Sequence, residues 1–129
     1  MHAVVSLFDE HITEAFKYLW RELANDFGVR QLADVLPYPH VSYQIAGQYE
    51  EQELVRRVED LARQATPFQI QAGGLALFTG AHLVLYVPIV RNLELSQFHQ
   101  TIWQAITPVG SGISPLLPAS DVDATYYTG

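Results

Sequence analysis

Cysteine is absent from the 129 residues. That excludes a disulfide framework, a thiolate zinc site and a cysteine nucleophile, and it fits a cytoplasmic protein. Basic residues are scarce, with 7 lysines and arginines against 14 acids and a formal charge of −7. Bulk electrostatics will not draw such a chain to a nucleic-acid backbone, so an anionic ligand has to be captured locally, by a few residues in a cleft. No glycine-rich loop opens a helix after a strand, which leaves a Rossmann or P-loop nucleotide site without support. A membrane-length apolar run is also wanting. The nearest candidate, residues 73–90, is broken by Gly73-Gly74, Thr79-Gly80, His82 and Pro88, and reads as two strands around a turn. The first residues lack the basic region and the long apolar run of a signal peptide.

What is present is the composition of a globular domain, 49% apolar and 16% charged. Residues 3–8 read as a short strand, and Asp9 is placed to cap the helix after it. Ile12, Phe16, Leu19, Trp20, Leu23 and Phe27 form one apolar stripe on that helix, and Gly28 is its stop. Residues 29–36 form a connection of undecided structure. A second helix opens at Gln48-Tyr49-Glu50-Glu51 and buries Leu54, Val58, Leu61, Ala62 and Ala65, with Arg56, Arg57 and Arg63 on a solvated face. Residues 68–72 alternate as a half-buried strand. Gly73-Gly74 bends the chain, Thr79-Gly80-Ala81 turns it, and residues 82–90 return antiparallel, with Pro88 marking an edge or an end. A third helix after Asn92 faces Leu95, Phe98, Ile102 and Ile106 inward and stops at Thr107-Pro108. Gly110-Ser111-Gly112 and the flanking prolines read as a loop, and the pairing of Tyr126 and Tyr127 is left open. Strand, helix, strand, helix, hairpin, helix is an antiparallel α+β order.

The stretch that could carry chemistry is Pro37-Tyr38-Pro39-His40-Val41-Ser42-Tyr43-Gln44-Ile45-Ala46-Gly47. The prolines bring the chain in extended, and from His40 the residues alternate. Val41, Tyr43 and Ile45 are assigned to the core face, and His40, Ser42 and Gln44 to the other, with Gln44 structural and Gly47 closing the strand. An imidazole and a hydroxyl thus project together. Histidine exchanges a proton near neutral pH, and a hydroxyl beside it can bind a phosphoryl oxygen. Other histidines lack this setting. His11-Ile12-Thr13 and His99-Gln100-Thr101 fall on helices, where residues two apart diverge. His2 has no partner pattern, and His82 is expected at the surface. Trp20, Phe98 and Trp103 are expected in or near the core.

The Pro-His-Val-Ser-Tyr strand, followed by a helix and a hairpin, resembles the two-histidine phosphoesterases, which include the 2'-5' RNA ligases and cyclic nucleotide phosphodiesterases. The resemblance implies a two-lobed, pseudo-symmetric α+β fold, with antiparallel sheets around a central cleft and helices on the outer faces. It implies that His40 is one of two catalytic histidines and that Ser42 holds the phosphate. It also implies no cofactor and no metal, and RNA or a small nucleotide phosphodiester as the partner. Neither a membrane nor DNA is expected, and the chain is expected to be monomeric. The family carries a second His-x-Thr/Ser on a strand, and none appears here by Gly129. Residues 1–129 are therefore expected to be a single domain that lacks the C-terminal end of a longer chain. The alternative is a non-catalytic module of the same fold that binds a phosphorylated ligand or a protein.

Overall fold

A computed structural model describes residues 1–35, 38–78, 84–90 and 92–115. The turn expected at 79–81, His82, and the tail with Tyr126 and Tyr127 lie outside the described residues. Strand β1 (His2–Leu7) leads into helix α1 (Glu10–Phe27). The Asp9 carboxylate accepts the Ile12 amide at 2.9 Å and satisfies one of the free donors of the first turn. At the other end Gly28 takes φ 72°, a left-handed conformation that lets the Gly28 and Val29 amides turn back to the Ala24 and Leu23 carbonyls. The buried stripe of α1 is Thr13, Trp20 and Ala24, with Phe16 stacked on Phe8 at 5.9 Å. Ile12 and Phe27, the ends of the expected stripe, stand exposed instead. A stripe laid out at helical spacing drifts around a long helix, and only its middle meets the core.

The undecided connection contains a short helix, α2 (Gln31–Val35), with an Arg30–Asp34 ion pair at its start. Strand β2 (His40–Tyr49) follows, then helix α3 (Glu51–Gln64). Leu54 and Leu61 of α3 pack against the core, whereas Val58, Ala62 and Ala65 are exposed and no residue of α3 is fully buried. The helix is held on its outer side by ion pairs. Arg56 and Arg57 both bind Glu53, holding its carboxyl down at about 2, and Arg63 binds Asp60 and Glu59. Arg57 does more than solvate a face, because its Nη1 donates to the Ala105 carbonyl at 2.7 Å, in the last turn of a neighbouring helix. There it meets the carbonyl end of the helix dipole.

The strand expected at 68–72 is reduced to β3 (Gln71–Ala72), followed by β4 (Ala76–Phe78), β5 (Val84–Tyr86) and β6 (Ile89–Val90). These form two antiparallel ribbons, β3 with β6 and β4 with β5. Pro88 lies in the break between β5 and β6, and its carbonyl accepts the Gly73 amide at 2.7 Å. Helix α4 (Leu93–Ile106) then crosses β2 with the expected inward face. Leu95, Ile102 and Ile106 are buried, and Phe98 packs beside them. Each such side chain is worth roughly 1.5–3 kcal/mol of burial.

Gly110-Ser111-Gly112, read as loop, belongs to strand β7 (Gly110–Ile113), which pairs antiparallel with the end of β2 and completes a three-stranded sheet in the order β1-β2-β7. For the same reason Gly47 does not close β2. The strand runs on to Tyr49, and a Cβ at Gly47 would come within 3.4 Å of the Ser111 carbonyl oxygen. The described residues are α+β with antiparallel sheets, and no helix among them is long and apolar enough to cross a membrane.

Asn92 joins two of these parts. Its Oδ1 accepts the Leu95 amide at 2.8 Å as the cap of α4, and its Nδ2 donates to the Gln69 carbonyl at 2.8 Å, just before β3. Asn92→Ala removes both bonds and should cost about 1–2 kcal/mol. Urea unfolding measures this, and an unchanged midpoint would contradict the double role.

Candidate active site

The pairing of β1 with β2 contains an irregularity that decides where the polar residues point. Leu7, Ser6 and Val5 stand opposite His40, Val41 and Ser42, while Val4, Ala3 and His2 stand opposite Gln44, Ile45 and Ala46. Tyr43 falls between the two registers with no residue opposite it, which is a β-bulge. One extra residue shifts the alternation by one. Val41 and Tyr43 are buried as expected, but beyond the bulge Gln44 and Ala46 are buried and Ile45 is not. Gln44 therefore leaves the His40–Ser42 face. Its side chain is wholly enclosed, donating to Thr107 Oγ1 at 3.0 Å and accepting from the Tyr49 hydroxyl at 3.0 Å. Gln44 is structural, as expected, but on the opposite side of the strand. Ile45 takes the place assigned to it.

Directly opposed residues of an antiparallel pair share a face. The face away from α4 thus carries His40 and Ser42 on β2, with Leu7 and Val5 opposite them on β1. His40 and Ser42 are half-buried and Leu7 is exposed. Pro39, just ahead, is fully enclosed and anchors the entry to the strand. The His40 ring is oriented by its own backbone, since Nδ1 lies 2.7 Å from the Tyr38 carbonyl oxygen. A carbonyl only accepts, so Nδ1 carries the proton and the neutral ring keeps its lone pair at Nε2. Neither Nε2 of His40 nor the Ser42 hydroxyl bonds any described residue. An imidazole with a free basic nitrogen and a free hydroxyl two residues along can exchange a proton and bind an anionic oxygen.

A family model described as the 2'-5' RNA ligase superfamily matches residues 9–116, a span that includes β2 and the His40–Ser42 face. The chain belongs to that superfamily, the two-histidine phosphoesterases. No curated protein and no solved structure matches the chain. Membership supports the phosphoesterase fold.

The two other His-x-Thr triplets do not resemble a superfamily motif in their setting. On α1, His11 is exposed and Thr13 buried; on α4, His99 is buried and Thr101 exposed, its hydroxyl bonded to the Gln97 carbonyl. Both pairs diverge as helical spacing requires. His99 nevertheless has a part that the sequence does not disclose. It is 2% exposed, and its Nε2 donates to the Tyr43 carbonyl at 2.8 Å, beside the Trp103 Nε1, which donates to the same oxygen at 2.7 Å. Trp20 is buried and Phe98 and Trp103 are partly buried, as expected. A depression of about 580 Å³ lies beside β3 and β6, lined by Gln69, Ile70, Gln71, Val90 and Asn92; none of these is titratable, and neither His40 nor Ser42 lines it.

Burial holds the His99 imidazole below the ordinary histidine value, against the opposing pull of its bond to the Tyr43 carbonyl. The folded chain therefore binds a proton at His99 less readily than the unfolded chain, whose histidines titrate near 6.5. Stability from this group is intact above about 6.5 and is lost as the pH falls from there toward the lower folded value. The melting temperature should drop more steeply on acidification from about pH 7.5 to pH 5 in the native chain than in His99→Gln, which has no proton to take up. Parallel curves would refute the buried neutral imidazole.

Proposed function

We propose that the chain is a metal-independent phosphoesterase or 2'-5' RNA ligase-like enzyme that acts on 2',3'-cyclic or 2'-5' phosphodiesters of RNA or small nucleotides. His40 serves as one of two acid–base histidines, and Ser42 as the hydroxyl that holds a non-bridging phosphoryl oxygen. The observation that supports this reading is the Nε2 of His40, set by the Nδ1–Tyr38 bond, on the same strand face as the Ser42 hydroxyl, neither of them bonded to any described residue. As base, Nε2 takes a proton from the attacking hydroxyl or water; as acid, it returns one to the leaving oxygen. A second histidine, which no other strand carries as His-x-Thr/Ser among the described residues, would supply the complementary step. Ser42 donates to charge that grows on the phosphoryl oxygens as the ester opens.

A second reading, a non-catalytic module that binds a phosphorylated ligand or a protein, is favoured by the excess of 14 acids over 7 bases and by the single strand-borne His-x-Ser among the described residues. Turnover of a 2',3'-cyclic nucleotide by the chain separates the two. His40→Ala should lower it by on the order of 10²–10⁴-fold, and Ser42→Ala by on the order of 10²-fold. Undiminished turnover in His40→Ala would overturn the catalytic assignment. Calorimetric binding of a phosphorylated nucleotide without any turnover would establish the second reading.

A further inference from the structure

The bulge at Tyr43 immediately follows Ser42, and its carbonyl is the point at which α4 grips the strand. His99 and Trp103 are four residues apart on α4 and so project from one face of that helix. Their Nε2 and Nε1 reach the same carbonyl oxygen at 2.8 and 2.7 Å, using both of its lone pairs. The Tyr43 side chain is fixed as well. Its hydroxyl donates to Ser6 Oγ on β1 at 3.0 Å, and its ring meets Phe98 edge-on at 5.6 Å. The two donors converge on one bulge carbonyl where Leu95, Ile102 and Ile106 pack in the same core as Tyr43, so they satisfy a peptide that the strand ladder leaves out.

We infer that His99 and Trp103 are positioning residues, which hold the Tyr43 bulge by its carbonyl and so fix the strand at the edge of the His40–Ser42 face while Gln44 is turned into the core. A bulge re-aims the side chains next to it, and the peptide pinned here is the one that joins Tyr43 to Gln44. Without it, regular alternation would put Gln44 beside Ser42 and drive Ile45 toward α4. The enzymatic part of the inference rests on the reading of His40 and Ser42 given above. The geometric part does not.

The test compares His99→Leu, which deletes one donor, with His99→Gln, whose amide nitrogen can reach the same oxygen, and with Trp103→Phe, which deletes the other donor. Circular dichroism establishes that each is folded. On a 2',3'-cyclic nucleotide, His99→Leu and Trp103→Phe should lose about 10- to 100-fold in kcat with KM nearly unchanged, the loss expected of a misplaced reacting group. His99→Gln should return to within a few-fold of the native rate with an unaltered pH–rate profile, which a residue acting itself as acid or base would not do. A folded His99→Leu with native kcat, or His99→Gln as impaired as His99→Leu, would overturn the inference. If His99→Leu does not fold, Trp103→Phe decides by the same criteria. If the native chain turns over no cyclic ester, the enzymatic reading falls by itself, and the positioning role is judged from amide ¹⁵N shifts in Trp103→Phe. Displacement at Ser42 and Gln44 supports it; changes confined to α4 overturn it.

Discussion

One carbonyl oxygen, that of Tyr43, sits where the β1–β2 ladder changes register and accepts from both His99 and Trp103. A strand with one residue too many must fold the surplus out of its ladder, and the displaced peptide then needs new partners if it is to be buried. Here α4 supplies two, and it does so from a position fixed by apolar contact through Leu95, Ile102 and Ile106. The hydrophobic contact provides most of the attraction, while hydrogen bonds, being directional, are what can favour one register over another. That division of labour is general, because apolar burial is non-directional and cannot distinguish a bulged strand from a slipped one.

The ends of α4 are tied down by the same economy of means. Asn92 caps its start and reaches back to the chain before β3, and Arg57 of α3 covers the Ala105 carbonyl near its finish. Just beyond, Thr107 accepts from the enclosed Gln44, which in turn accepts from Tyr49. A buried amide satisfied at both ends specifies one arrangement, whereas a half-satisfied one would favour rearrangement. Polar contacts thus mark the helix along its whole length: Asn92 at the cap, His99 and Trp103 at the bulge, Thr107 at the exit.

Much of this order is legible in the sequence. Asp9, Gly28 and Asn92 are read correctly as helix boundaries because capping is local chemistry, decided within three or four residues. The inward face of α4 is legible because the helix packs across the core along its full length. The side of the strand taken by Gln44 and Ile45 is not legible. Alternation is a rule about a regular ladder, and the bulge is a relation between β2 and β1 that neither segment states alone. The strand at Gly110-Ser111-Gly112 is hidden for a different reason. Gly112 admits the close approach of Gly47 and Gly110 that of the Tyr49 ring, and in doing so they remove the side-chain pattern by which a strand is recognised. His99 escapes notice because its role is to donate one hydrogen bond to a backbone 56 residues away. His40 and Ser42, which precede the bulge, keep the face that simple alternation assigns them.

The charge distribution bears on how such a face would meet an anion. Lys17, Arg30, Arg56, Arg57 and Arg63 each already hold a carboxylate, and the acids outnumber the bases 14 to 7. A guanidinium committed to a neighbouring carboxylate presents little net field at a distance, and salt screens the remainder within about 10 Å. Long-range steering of a polyanion is therefore not built into these surfaces. An imidazole and a hydroxyl would meet an anion at contact instead, through the direction of a lone pair and an O–H bond. For such a site a displacement of one ångström matters more than a unit of net charge. If His40 and Ser42 act as proposed, the rigidity of the strand that carries them is the property on which that chemistry would turn.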